Sequence, residues 1–387
     1  MKRSTFRKFL GLYFVMILAF GLVGAAPANV AGHGSSQPAV RIIIDADIGV
    51  DDAAAIAYLL EKPTKVEILG ITTVAGNTSV ENSASNALLL LETAGRTEIP
   101  VVVGAAAPLV LPASQQGMFV HGPDGLWFTG WQFPQDISGL STDAAGFLCD
   151  NAGADVTLLA LGPLTNLANA VGQCPAQMSL YRILWLGGAK GVLDEGNTPV
   201  SVFNPWFDPD AAQIVLDAGL NITMVTTDAA RTVTVSTDSI DKLFRRGTAL
   251  GKLLAPALQQ YASLFATSSN MRRHSSLRVA LYDPTAAVLL VHPEWASSTQ
   301  SGLILIQTQD GPARGQTIIA LTLPEHLSVL ASDAELSAIA VQVFSDPEFD
   351  QEAALGEILF RRPDNAQVVM SVNAKKIAAD WLLALMR

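Results

Sequence analysis

The sequence predicts an α/β fold: a single large domain built on a mostly parallel open sheet with helices on both faces. Two observations carry that expectation. From Val40 onward, short apolar runs and stretches of helical period alternate, with loops between them, as happens when crossover helices link parallel strands. No internal repeat and no second linker breaks the alternation, so one domain holds all of it.

The elements follow in order. Residues 42–44 are a β-branched run ending in Asp45, and residues 52–60 then take helical spacing. Residues 66–73 form the second strand and 80–95 the second helix. Strands are expected at 101–103, 156–161, 183–186 and 222–226, with helices at 164–170 and 209–218. Longer helical stretches follow at 236–246 and 250–267, then a helix opened by Asp283 and Pro284, then two strands around 309–315. In such sheets ligands sit beyond the carboxyl ends of the strands, which is where chemistry is to be sought.

Composition excludes several classes. Half of the 387 residues are hydrophobic and only 15% are charged, against roughly 25% charged in an average soluble domain, so a disordered chain is ruled out. The formal charge of −11 (24 Lys and Arg against 35 Asp and Glu) deepens to −15 when Lys2, Arg3, Arg7 and Lys8 are set aside. Such a surface repels phosphate backbones and anionic lipid, which argues against nucleic acid as a partner.

Those four basic residues head an apolar run, residues 9–23, followed by Ala26 and Ala28 in A-x-A spacing. Residues 1–28 are therefore expected to be a secretory signal, residues 29–39 a flexible linker, and residues 40–387 the folded domain. A secreted or periplasmic protein follows, with no membrane attachment after signal removal, since charge, Gly or Pro breaks every later apolar run. Cys149 and Cys174 lack metal-ligand spacing. Each follows a helix flanking the strand at 156–161, and a disulfide or two free thiols both fit.

The chemistry concentrates at the end of the first strand. Asp45, Asp47, Asp51 and Asp52 place four carboxylates within eight residues, leading into a helix. Helix capping accounts for one or two of them but not four. Like charges this close need a cation, and oxygen donors without Cys or His suit Ca²⁺ or Mg²⁺ rather than zinc.

Here the sequence resembles the calcium-dependent nucleoside hydrolases, the inosine-uridine preferring nucleoside N-ribohydrolases. Residues 45–52, Asp-Ala-Asp-Ile-Gly-Val-Asp-Asp, match the family's opening motif D-x-D-P-G-x-D-D except that Ile48 replaces proline. Blocks at 72–77, 121–126, 161–166 and 186–189 follow in family order, then Phe203-Asn204 with Asp208-Pro209, Asp283-Pro284 and 314–317. The resemblance implies one Ca²⁺ held by Asp47, Asp52, Asp283 and the backbone carbonyl of Thr165, with a nucleoside as the small-molecule substrate. It further implies that Asp51 is the general base for a water on the ion, and that Asp45 fixes the loop rather than touching the ion. Asn77, Asn204 and Phe203 match residues around the ribose, and Asn197 matches another asparagine once one residue is allowed to be missing beside it. Gly49 is expected where the backbone turns tightly.

The other departures from the family fall around the sugar and the base. Val202 stands where glutamate usually contacts the 5′-hydroxyl, and Tyr282 where histidine is a common acid for the leaving base. Tyr282 is a weak acid near neutrality. His121, in a block that supplies a proton relay in pyrimidine-cleaving relatives, and His274, in a polar segment expected to cover the site, are the other candidate donors. A phosphatase of the haloacid-dehalogenase type does not fit: Gly49 stands where it wants Thr or Val, and its later Gly-Asp motif is missing. An exported nucleoside-binding protein that keeps calcium without efficient turnover is the alternative, and retention of Asp51 argues against it. A homo-oligomer is compatible with the sequence, which does not set the number of subunits.

Overall fold

The computed structural model describes residues 38–128, 135–191, 197–265 and 277–387. The expected signal, most of the linker and His274 lie outside the described residues. In chain order the strands are β1 (Val40–Ala46), β2 (Val66–Thr73), β3 (Val101–Val103), β4 (Val156–Ala160), β5 (Arg182–Leu186) and β6 (Asn221–Val225). They continue as β7 (Thr234–Ser236), β8 (Arg278–Ala280), β9 (Ala296–Ile306), β10 (Thr317–Ala320) and β11 (Ala366–Val372).

Nine of them form one sheet in the order β10-β9-β11-β6-β5-β4-β1-β2-β3. From β11 to β3 every neighbouring pair is parallel, and β9 runs against both β11 and β10. Strand order reverses at β1: β2 and β3 extend the sheet one way, β4 to β6 the other. That reversal places a crevice at the carboxyl ends of β1 and β4; Leu161 N, just past β4, donates to Asp45 O at 2.8 Å, and on the other side of β1 Val74 N, just past β2, donates to Ala46 O at 3.1 Å.

Residues 42–44 show why the sheet is buried on both faces. Ile42 and Ile44 enter a core shared with the helices Val50–Leu60, Val80–Ala94, Tyr282–Val291 and Ala374–Met386. Ile43 enters the opposite core, with the helices Ala144–Asp150, Thr165–Gln173 and Pro209–Asp217. All three are fully buried, as the period of two along a strand requires when helices cover both faces.

Several elements differ from expectation. β1 runs one residue past Asp45, because Ala46 still pairs with Thr73. A separate antiparallel pair, β7 with β8, and three helices between β10 and β11 (Leu323–Leu330, Asp333–Ser345, Gln351–Leu359) were not among the expected elements. The first two of those helices bury no residue, and the third buries only Ile358, although Leu336, Ile339, Ala340 and Val343 recur at helical spacing in the second. Cys149 and Cys174 are joined in a disulfide with Cα atoms 6.0 Å apart, which settles the question left open above. No helix among the described residues is long and apolar enough to cross a membrane.

Candidate active site

The loop that leaves β1 is shaped by its own carboxylates. Asp52 Oδ2 accepts from Gly49 N at 3.0 Å, closing the first turn of the helix Val50–Leu60. Ile48 N donates to Ser83 Oγ at 2.9 Å. Gly49 is required here by close approach rather than by a tight turn: its φ is an ordinary −94°, but a Cβ would lie 2.5 Å from His121 Nδ1. Gly76 serves similarly, since a Cβ there would lie 2.0 Å from Asp47 Oδ2, the oxygen that accepts from Asn77 N at 2.7 Å.

Asp45 points away from this loop. Its carboxylate accepts from Thr72 Oγ1 and, at 2.7 Å, from Asn166 Nδ2. Asn166 also donates to Thr73 O at 2.9 Å and accepts from Ala105 N at 2.9 Å, so Asp45 and Asn166 together knit the ends of β1, β2 and β3. Burial pushes the Asp45 carboxyl up to about 6.

Asp51 and Asp52, on the first turn of one helix, meet Asp283 from the first turn of another, with one oxygen of each within 4.8 Å of the others. Asp47 lies outside that triple, but the charges of Asp52 and Asp51 push its carboxyl up, after burial. Burial is the largest cause of raised carboxyl pKa values throughout, and mutual repulsion adds to it: Asp52 is pushed up to about 6, Asp47 and Asp283 well above the usual range. Asp51 is also pushed up to about 6 by burial, against a hydrogen bond from Tyr261 that favours its charged form. Asp47 Oδ1, Asp51 Oδ1 and Asp52 Oδ1 have no hydrogen-bond partner among the described residues. An unpaired buried carboxylate oxygen is costly, and a hard cation takes ligands of this kind.

Thr165, 1% exposed, opens the helix Thr165–Gln173. Its hydroxyl donates to Asp208 Oδ2 at 2.6 Å, and Asp208 also accepts from Leu109 N and Ala211 N.

Beside the carboxylates lies a pocket of about 190 Å³. Asp51, Asn77, His121, Asn197, Phe203, Asn204, Tyr282 and Asp283 all line it, so the structure brings together the described catalytic and sugar-side candidates. Val202, Gln116, Thr227 and Tyr261 line it as well. A larger cleft, about 480 Å³, lies at the start of β6 and β11 beside Arg361 and Arg362. Those arginines are paired with Glu335 and Asp217, and none of the site carboxylates is there.

His121 is nearly buried and its Nδ1 accepts from Val50 N at 3.1 Å. It thus caps the helix that carries Asp51 and Asp52, a task Gly49 has no side chain to perform. With Nδ1 an acceptor, the proton of the neutral ring sits on Nε2 by assignment from this bond. Burial lowers the imidazole to about 4, so the ring is neutral at pH 7. Tyr261 packs 5.5 Å from it, centroid to centroid. Nothing in the sequence marked Tyr261, an aromatic residue in the apolar helix Ala249–Phe265.

The sugar-side asparagines have structural work too. Asn77 Nδ2 donates to Asp52 Oδ2 at 2.9 Å, and Asn197 Nδ2 donates to Gln116 Oε1 at 3.2 Å. Asn204 Nδ2 donates to Leu161 O and, at 3.0 Å, to Leu186 O, tying the ends of β4 and β5. Phe203 packs against Trp206 and Phe207 in the short helix Phe203–Phe207. Arg314 grips that helix, donating to Trp206 O at 2.8 Å and Phe207 O at 2.9 Å with its guanidinium over the Trp206 ring. The block at 314–317 therefore supports the pocket without lining it.

An open, mostly parallel sheet with buried carboxylates at its strand-order reversal, of which Asp51, Asp52 and Asp283 could hold a metal ion, defines an α/β protein with its site beyond the strand ends. The family model described as inosine-uridine preferring nucleoside hydrolase matches residues 42–379, so the chain belongs to that family and is a nucleoside N-ribohydrolase. It is 34% identical over 284 residues to a probable uridine nucleosidase 1 of Oryza sativa subsp. japonica, covering 72% of this chain and 84% of that one. It is 35% identical over 288 residues to the non-specific ribonucleoside hydrolase RihC of Salmonella paratyphi B, covering 72% and 87%. A solved plant nucleoside hydrolase, PpNRh1, superposes with a TM-score of 0.73 at 27% identity over 90% of this chain and 99% of that one.

Proposed function

We propose that the enzyme cleaves ribonucleosides to ribose and free nucleobase with a calcium ion held by Asp47, Asp52, Asp283 and the Thr165 carbonyl, and with Asp51 as general base. The observation that carries this reading is the set of three buried carboxylate oxygens without partners at 47, 51 and 52. A calcium ion there supplies the charge that orients vicinal sugar hydroxyls and makes a water easier to deprotonate.

The protein's own groups do the rest. Asp51 is the carboxylate of the helix start with an edge toward the pocket, its side chain 13% exposed, and it takes the proton of the attacking water. Burial favours its protonated form, and backbone hydrogen bonds together with one from Tyr261 oppose that. Asn204 has spent its amide hydrogens on two carbonyls, which leaves its oxygen to accept from a sugar hydroxyl. His121 offers Nε2–H to the departing base as a hydrogen-bond donor, and Tyr282 offers a phenol. Val202 brings no hydrogen-bonding side chain to the 5′ end of the sugar.

We also infer that the enzyme works outside the cytoplasm, secreted or periplasmic. The Cys149–Cys174 disulfide supports this, because such bonds persist in oxidising compartments, as does the basic and apolar composition of residues 1–28.

The deciding experiment strips the protein with EDTA, then assays free ribose and base from a nucleoside panel with and without Ca²⁺. Turnover that vanishes on stripping and returns with Ca²⁺ is expected. Full activity of the stripped protein overturns the metal reading, and calcium-dependent binding without turnover favours the nucleoside-binding alternative.

A further inference from the structure

We propose that Asn86 is a positioning residue that sets the spacing between the carboxylate loop and the His121 loop, coupling attack of water to departure of the base. The proposal rests on the reading of His121 as a donor to the leaving base.

Asn86 lies on the buried face of the helix Val80–Ala94, 4% exposed. Its Nδ2 donates to Ile48 O at 2.9 Å and to Asp124 O at 2.9 Å. Both amide hydrogens are thereby used, on two different loops. Ile48 stands between Asp47 and Gly49, and Asp124 is three residues beyond His121. One planar amide therefore holds both backbones in register.

The two loops close on each other around this point. Val50 N donates to His121 Nδ1 at 3.1 Å. Gly125 sits at φ +89°, and a Cβ there would lie 2.8 Å from Ile48 O and 2.9 Å from Asn86 Nδ2. The His121 loop is itself braced: Trp127 Nε1 donates to Val120 O at 3.0 Å, Trp127 N to His121 O at 3.2 Å, and Asp124 accepts from Leu126 N and Phe128 N. Trp127 and Phe128 both have positive φ, 56° and 53°, a strain that persists only where the surroundings over-determine it. Asn82 and Thr78 reach the same loop through Pro123 O, at 3.1 and 3.2 Å, but their hydrogen bonds do not extend to Ile48. Anchoring the loop and registering it against the carboxylates are thus separable.

A stiff loop moves as a body when its register is lost. Without the Asn86 amide, His121 shifts relative to Asp51, and a displacement of about 1 Å at a reacting group costs on the order of 10²-fold in rate. That cost falls on substrates whose base needs a donor to leave.

The test uses the full calcium-loaded chain, with kcat and KM for uridine and for p-nitrophenyl riboside, calcium affinity by calorimetry, and Tm. Asn86→Ala should lower kcat for uridine roughly 10- to 100-fold and for the nitrophenyl substrate less than about 5-fold, with KM and calcium affinity little changed. Asn86→Ser, which keeps one donor, should fall between, and it decides the matter if the alanine variant does not fold. Asn82→Ala should leave the ratio of the two rates at the wild-type value. Equal losses on both substrates, or none, in the Asn86 variants overturn the proposal. His121→Ala separates the failures: an unchanged ratio there removes the reading of His121 and this proposal with it, whereas a changed ratio there beside an unchanged one at Asn86 removes the proposal alone.

Discussion

The carboxylate side of the pocket and the side that meets the sugar and base are built differently. Asp47, Asp51 and Asp52 come from one strand end and one helix start, and only Asp283 and Thr165 arrive from elsewhere. The opposite side is assembled from Gln116 to His121, Asn197 to Asn204, Tyr261 and Tyr282. Two of the departures from the family pattern, Val202 and Tyr282, fall on this second side, and one, Ile48 in place of proline, falls in the carboxylate loop. Attack by water is the same chemistry for every nucleoside, so one compact loop serves it. Recognition of the base and of the 5′ end differs with substrate, and spreading it over separate loops lets it vary without disturbing the carboxylates.

The largest effect should come from breaking the carboxylate side. Asp51→Asn should lower kcat by roughly 10² to 10⁴-fold while calcium still binds, whereas Asp52→Asn should weaken calcium binding itself. Calorimetric titration beside steady-state kinetics separates the two, and equal loss of metal in both variants would remove Asp51 from the base role.

On the other side the effects should depend on substrate. His121→Ala should slow uridine by about 10²-fold and p-nitrophenyl riboside far less, because losing a donor matters only where the leaving group needs one. Part of any common loss will report the missing cap on Val50 N, so the ratio of the two rates is the quantity to read. At Val202, the absence of a charge-assisted hydrogen bond, worth about 1.5–3 kcal/mol where one exists, should leave ribosides and 5′-deoxyribosides within about threefold of each other in kcat/KM. A strong preference for the intact 5′-hydroxyl would show that another residue recognises it.

The smallest effect concerns stability of the stripped protein. Asp51 and Asp52 have folded-state pKa values raised to about 6, so between about pH 4 and 6 the native state holds protons that the unfolded chain gives up, and unfolding becomes easier as pH rises. Metal-free protein should therefore melt lower at pH 7 than at pH 5, the raised carboxyls of Asp45, Asp51 and Asp52 outweighing His121, whose lowered pKa acts in the opposite sense. Added Ca²⁺ should raise Tm more at pH 7, where it meets charged carboxylates. Thermal scans at the two pH values check both signs.

Much of this was legible without coordinates because it is local. The β-branched run at 42–44 and the four carboxylates that follow lie within eleven residues, where strand period, helix start and charge crowding act on neighbours along the chain. The sheet's parallel character followed from the alternation of runs and helices, and Asp283, Thr165 and Asn204 were reached through their motifs. Tertiary structure alone decided what depends on groups distant in sequence meeting in space. It brought Asp283 to Asp51 and Asp52, set Tyr261 against His121, made His121 the cap of the carboxylate helix and bridged Cys149 to Cys174. It also gave Gly49 a different reason for being glycine, the closeness of a ring 72 positions away in the chain (Gly49 to His121). Such contacts carry no period and no composition. They exist because burial on two faces of one sheet forces these segments together, and the hydrogen bonds then follow from the need to satisfy every polar group left inside.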